Sequence, residues 1–242
     1  MREDPRRSRA TAATGLLLGL VAVVVLVLGG GHDGVPAHAS ESSPPTERPV
    51  VSFSYATDRL RREHVKATFF VVGRWVALHP ELVRLEHRYG FTVGDHTQSH
   101  AFLSLLSPAQ QRTEVVGDGR AIAAAGAPYP RLFRPPYGSF DRATLKLLHH
   151  ERMLMTLWSQ ETRDYTRPGV RAIARNATVG ARPGEILLLH DGGGERRQTL
   201  AALPKVIRAL KRRHLHLVSV PRLILDDPPP RNQPQPRSLS GG

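Results

Sequence analysis

An α/β fold around a parallel sheet is predicted by two features of the sequence. Seven short apolar runs punctuate residues 50–220, at 50–53, 67–72, 91–93, 132–133, 153–157, 186–189 and 215–220, with helix-like stretches between most of them. Strands that alternate with helices imply parallel pairing, in a sheet either open or closed into a barrel. In addition, a cluster of polar residues follows the third, fourth, fifth and sixth runs. In parallel α/β folds the strand C-termini share one rim, where active sites form.

In chain order, residues 1–9 carry Arg2, Arg6, Arg7 and Arg9, and no charge follows from Ala10 to Gly31. A run of about 20 such residues is just long enough to span a bilayer as a helix. The preceding arginines place the N-terminus in the cytoplasm by the positive-inside rule. Ala37-His38-Ala39 also reads as a signal-peptidase site. Residues 10–31 are therefore expected to form a single N-terminal helix, either a transmembrane anchor or a cleaved signal peptide. The domain would lie outside the cytoplasm, held at the cell membrane or secreted. Residues 32–49, rich in Ser, Pro and Gly, read as a linker. The domain is expected over 50–225, followed by a disordered proline-rich tail over 226–242.

Within the domain, helices are expected over 80–89, 108–125, 141–150, 169–179 and 197–213. Ser107, with Gln110 three residues on, has the form of a capping box, and Asp141 is placed to cap the next helix. The chain has no cysteine, which excludes a disulfide scaffold, a thiolate zinc site and a cysteine nucleophile. Its net charge of +13 suits an anionic neighbourhood or simply a solvated arginine-rich surface. Nucleic acid is a poor candidate, because aromatic residues make up only 6% of the chain and a membrane segment precedes the domain. Nothing in the sequence points to an oligomer.

The polar clusters carry the chemistry. His96 and His100 are four apart, so a helical turn would set both imidazoles on one face, where they can bind a divalent metal. With 12 histidines in 242 residues, chance alone gives roughly 0.6 such pairs, so their position at a strand end is the more telling fact. His190 ends an apolar strand ahead of Asp191 and three glycines, a position for a general acid or base or simply a strand end with a glycine loop. Arg134 precedes two prolines, which stiffen its backbone; it can hold a carboxylate or make a surface ion pair. Asp164 can orient a histidine or cap the helix that follows.

Together these clusters resemble the polysaccharide deacetylases, the NodB-homology domain of family 4 carbohydrate esterases, over about residues 50–221. The matching stretches are Val65-Lys66-Ala67-Thr68-Phe69-Phe70-Val71-Val72-Gly73, His79-Pro80-Glu81-Leu82, His96-Thr97-Gln98-Ser99-His100, Phe133-Arg134-Pro135-Pro136-Tyr137-Gly138 and Leu189-His190-Asp191. The resemblance implies a distorted (β/α) barrel of about seven parallel strands that removes acetyl groups from N-acetylated sugars of a cell-wall or chitin-like polysaccharide. The implied cofactor is a divalent metal, zinc or another such as cobalt, with His96 and His100 as ligands. The resemblance further implies His190 as the acid, Asp164 as its partner, Arg134 as the holder of the base, and Tyr137 as a backbone donor to the oxyanion. Leu189 and Tyr165 match walls of the acetyl pocket, although Trp is usual where Tyr165 stands. Glu161 sits where Asp is commoner.

One departure is large. Where the family has Thr-Phe-Asp-Asp-Gly-Pro, this chain reads Val51-Ser52-Phe53-Ser54-Tyr55-Ala56-Thr57-Asp58. The resemblance assigns one of the two missing aspartates as general base and the other as metal ligand. Two readings follow, an impaired deacetylase and a non-catalytic relative that binds glycan. Asp95, which adjoins His96, and Asp58, on the shortened first helix, are the candidate substitutes.

Overall fold

The structure, a computed structural model, describes residues 22–29 and 51–230. The expected segments 1–9 and 32–49, and the tail from 231, lie outside the described residues. The described elements are β1 (Ala22–Gly29), α1 (Val51–Arg62), β2 (Thr68–Val71), α2 (Gly73–Leu78), α3 (Pro80–Arg88), β3 (Thr92–Asp95), α4 (Pro108–Ala124) and β4 (Leu132–Phe133). They continue with α5 (Arg142–Glu151), β5 (Leu154–Met155), β6 (Gln160–Glu161), α6 (Val170–Thr178), β7 (Ile186–His190), α7 (Arg197–Arg212), β8 (His216–Val218) and α8 (Val220–Asp226).

The strands form one curved sheet in the order β5-β4-β3-β2-β1-β7-β6, with β8 also paired to β1. The pairs β2–β3, β3–β4, β4–β5 and β6–β7 are parallel, as the alternating pattern requires. Strand β1 is the exception, running antiparallel to β2, β7 and β8. Of the helix expected over 10–31, residues 10–21 and 30–31 lie outside the described residues, and Ala22–Gly29 is a strand instead. This segment is mostly valine and leucine. Valine, branched at Cβ, fits a pleated sheet well. Pairing on both sides satisfies its backbone, as a helix would have done internally. Among the described residues, no helix is long and apolar enough to cross a membrane.

The second difference lies at 50–53, expected as the first strand. Residues 51–53 open α1. From there Ala56 and Leu60, one turn apart, face the core, while Arg59, Arg61 and Arg62 complement the dipole at the helix C-terminus. The place between β2 and β7 belongs to β1. The remaining helices follow their signals. Ser107 and Gln110 form a reciprocal capping box on α4, and Asp141 forms one with Thr144 on α5.

Alternation along the strands divides the core into layers. On β2, Phe69 and Val71 join Leu187 and Leu189 of β7 in the layer between sheet and helices, with Val83, Ile122, Ile173 and Ile207. Phe70 and Leu188 point to the other face, where they meet Leu132, Val220 and Trp158. His190, two residues beyond Leu188, shares that inner face.

Candidate active site

The loop after β3 carries both histidines. It is not a helical turn, because Thr97 and His100 have φ of 69° and 65°, in the left-handed region. Two elements, α2 and α4, hold it in this unfavourable backbone conformation. The first N–H groups of α2 donate to it, from Gly73 to Thr97 O (3.1 Å) and from Arg74 to Gln98 O (2.9 Å). A Cβ at Gly73 would collide with the Gln98 side chain and the Asp118 backbone, so only glycine allows this approach. From α4, Glu114 accepts from Ser99 N (2.8 Å) and Ser99 Oγ (2.7 Å), and Asp118 Oδ2 accepts from His96 N (2.7 Å). The imidazoles meet edge to face with centroids 4.9 Å apart. The i, i+4 pair is therefore close in space without a helix.

His96 is buried, and its Nδ1 lies 2.7 Å from Arg134 O. A carbonyl only accepts, so Nδ1 carries the proton and Nε2 keeps its lone pair. Burial, and then the charge of His100, pushes His96 well below the ordinary histidine range. His100 is pushed down to about 4 by burial, then by the charges of His190 and Arg74. Both are neutral at pH 7. His190 is thus close enough to bear electrostatically on both. The His100 Nδ1 also meets the Tyr137 hydroxyl at 3.1 Å.

Arg134 enters from the end of β4 and is buried at 1% exposure. Its Nε donates to Thr156 O (3.0 Å) and one Nη to Leu157 O (2.8 Å), and its guanidinium lies over Phe70 and Trp158. The other Nη has no hydrogen-bond partner. Burial pushes the guanidinium down to about 9. The surface ion pair considered from sequence is therefore not what Arg134 makes. Tyr137, at φ 58°, occupies a tight turn after Pro135, and its ring stacks on Phe102 with centroids 3.8 Å apart.

On the opposite side, Asp164 and His190 form a fully partnered pair. Asp164 Oδ1 accepts from His190 Nδ1 (2.8 Å) and Thr162 Oγ1 (3.1 Å); its Oδ2 accepts from His190 N (2.7 Å) and Thr199 Oγ1 (2.9 Å). Burial alone would push the Asp164 carboxyl up, but these bonds, chiefly from His190, more than offset it and hold the group below its ordinary range. The contact fixes the proton on Nδ1 and leaves Nε2 to serve the cleft. Tyr165 stands edge to face against the His190 ring at 5.6 Å.

Leu189 does not stand with these groups. Strand alternation sends it into the layer beneath the helices, so Leu188 is the leucine on the face of His190. Sequence reasoning also missed Thr162 and Thr199 as the clamps on Asp164, and Glu114 and Asp118 as supports of the histidine loop. Only the period-2 rule, applied to 187–190, would have shown the Leu188 assignment.

Neither substitute carboxylate serves the histidine pair. Asp95 is buried behind the loop, accepts from Thr97 N (2.9 Å) and faces Asp118; burial pushes both carboxyls up, so the two hold a proton between them. Asp58 lies on the outer surface of α1 beside Arg61. Among the described residues, no group of three His, Cys, Asp or Glu is arranged to hold a metal ion. Catalytic zinc sites take three protein ligands, and two imidazoles with no carboxylate do not fit such a centre.

Comparisons with known proteins place this geometry. Residues 48–153 match the polysaccharide deacetylase family. The chain is 36% identical to a peptidoglycan-N-acetylglucosamine deacetylase of Bacillus cereus, covering 69% of this chain and 79% of that protein. It is 39% identical to a chitooligosaccharide deacetylase of Bradyrhizobium, covering 69% and 81%. Among solved structures it is similar to a family 4 carbohydrate esterase of Streptomyces lividans in complex with acetate (TM-score 0.64, 29% identity, 69% of this chain and 85% of that one). It is also similar to a family 4 pseudoenzyme of Bacillus anthracis (TM-score 0.68, 27% identity, 72% and 61%), of which a mutant with restored enzymatic activity is known.

Proposed function

The chain belongs to the polysaccharide deacetylase family, and on that premise we propose that it engages N-acetylated cell-wall or chitin-like polysaccharide at this cleft, with deacetylation impaired. One observation carries the second half of this reading. The histidine pair and Arg134 converge, yet no carboxylate among the described residues faces them.

Amide hydrolysis needs a water to lose a proton as it attacks the carbonyl, an oxyanion to be stabilised, and the leaving nitrogen to gain a proton. The last of these is supported here. Asp164 holds His190 with Nε2 turned to the cleft, and a protonated His190 can deliver that proton to the amine. By the resemblance, the turn at Tyr137 would offer a backbone N–H to the oxyanion. Attack is the step left without its group. The resemblance assigns the two missing aspartates as base and acidic ligand, and a divalent ion held there would supply activation of water. Losing a general base costs about 10²–10⁴-fold in rate. The pseudoenzyme of Bacillus anthracis shows that members of this family can lose activity and regain it by mutation.

Acetate release from N-acetylglucosamine oligomers and from peptidoglycan tests the reading. The chain as written is expected to release little or none with zinc or cobalt added. Supplying Asp-Asp-Gly-Pro and the missing helical turns ahead of Tyr55 is expected to raise release, and His190→Ala to abolish it again. Ordinary hydrolase turnover by the unmodified chain would refute the reading. We also infer that the domain works outside the cytoplasm, from the arginines ahead of the uncharged stretch 10–21, the part of that run that β1 does not include. Protease treatment of intact cells tests this, since an intracellular domain stays protected.

A further inference from the structure

We propose that the end of the barrel opposite the cleft docks on an anionic lipid surface. This goes beyond the glycan reading and uses no residue of the cleft. Two independent features of that end carry it, its charge and its apolar cavity.

The topology gathers the cations. The parallel strands end at the cleft, and each helix runs back from there to the start of the next strand. The C-termini of α1, α3, α5, α6 and α7 therefore meet at the far end, and each carries Arg, Lys or His in its last turn. Such residues complement the helix dipoles, which alone accounts for Arg62 and Arg88. It does not account for Lys66, Arg131, Arg152 and Arg182, which stand in the loops beyond the helix ends. All six are exposed, and none has an ion-pair partner among the described residues. Most acids of this end are engaged: Glu63 with Arg59 and Lys211, Glu151 with Arg112, Asp226 with Arg222, and Glu185 with the Arg182 N–H. Glu86 is buried, and Asp227 lies beside Gly184.

The second feature is apolar. Among these cations, at the starts of β3, β4 and β5, lies a cavity of about 510 Å³, lined by Phe91, Leu132, Leu154, Ile224 and Leu225 together with Arg131. Leu154 and Leu225 are 47% and 76% exposed, and Val179 at the end of α6 is 66% exposed. A soluble polyanion would engage the cations and leave these apolar groups in water. A lipid surface satisfies both, with headgroup phosphates against the arginines and acyl carbon against the cavity.

The chain has no cysteine, so a single introduced one takes a label without ambiguity. In the full chain, Leu225→Cys carries a fluorophore at the proposed face. Leu105→Cys carries it in the loop after the histidines, where Leu105 is 80% exposed. Each is mixed with phosphatidylcholine vesicles containing about 30% phosphatidylglycerol and a lipid with a nitroxide on its acyl chain, which quenches only what touches the bilayer. Because the readout is local, attachment through some other segment does not imitate it. Quenching is expected at residue 225, with none at residue 105 and little in phosphatidylcholine alone. Arg88→Gln, Arg131→Gln and Arg152→Gln together are expected to remove it, each charge contributing about fivefold. If that variant does not fold, raising salt from about 0.1 to 0.5 M is expected to do the same in the wild-type background. No quenching at residue 225, equal quenching at residue 105, or quenching undiminished in phosphatidylcholine alone overturns the proposal. Release of the label by soluble polyphosphate at less phosphate than the lipid supplies assigns the face to a free polyanion and overturns it. A dimer in sedimentation that Leu225→Asp dissolves, without quenching by vesicles, assigns the face to a second copy of the chain and likewise overturns it.

Discussion

The two sides of the cleft differ in how completely their polar groups are partnered. On the β7 side, every oxygen of Asp164 is used, and His190 is fixed in tautomer and direction by two contacts to it. On the β3–β4 side, an equally rigid frame presents two neutral histidines and a guanidinium with one nitrogen idle. Both sides are well built, so their difference is not one of folding quality. The frame on the β3–β4 side draws its support from α2, α4 and the carbonyls after β5, and so does not depend on a partner for the idle nitrogen.

The comparison predicts opposite signs for removing a partnered and an unpartnered acid. Asp164→Ala breaks a buried, hydrogen-bonded pair and is expected to cost about 3–5 kcal/mol in urea unfolding. Because its bonds hold Asp164 below the ordinary carboxylate range, this stability is fully present above about pH 4 and fades as pH falls through the lower folded value. A cost that persists unchanged well below that range would break the comparison. Glu86 of α3 is the contrasting case. It is fully buried, neither oxygen has a hydrogen-bond partner, and burial, then the charge of Asp191, pushes it well up. Here the folded state holds the proton that the unfolded state has lost, so the penalty is absent in acid and grows as pH rises from about 4. Glu86→Leu is therefore expected to stabilise the protein at pH 8 by about 1–3 kcal/mol and to lose that advantage near pH 4.

Two smaller effects sharpen the contrast. Thr199→Val removes one of the clamps on Asp164 and is expected to cost about 1 kcal/mol, leaving α7 intact. Phe102→Ala removes the ring that stacks on Tyr137 at the rim and is expected to weaken glycan binding by about 0.5–1.5 kcal/mol in calorimetry, with little change in melting temperature.

Much of the fold was legible because local signals agreed with the global arrangement. The capped helices α4 and α5 and the apolar strands β2, β4 and β7 lie where their residues place them within a few positions. The nearness of His96 to His100 and Arg134, and of Asp164 to His190, was legible because each follows a strand of the same sheet. Two elements were misread because one apolar run can serve two structures. The valine-rich segment of 10–31 satisfies its backbone as well in a ladder as in a helix, and Val51-Ser52-Phe53 starts a helix once Ala56 and Leu60 give it a buried face. Leu189 was misassigned because motif matching ignores which face a strand residue takes. The clamps Thr162, Thr199 and Asp118 lie far along the chain from the groups they hold, and single-sequence periodicity carries no record of such pairings.

Zinc binding tests the central claim most directly, that the histidine side lacks, among the described residues, the carboxylate a metal centre needs. In calorimetry at neutral pH, with the ring proton signals of His96 and His100 followed in parallel, zinc is expected to bind weakly and without saturating those signals at stoichiometric metal. Tight one-to-one binding that shifts both histidines together would contradict the account, since it would require a third ligand at this pair.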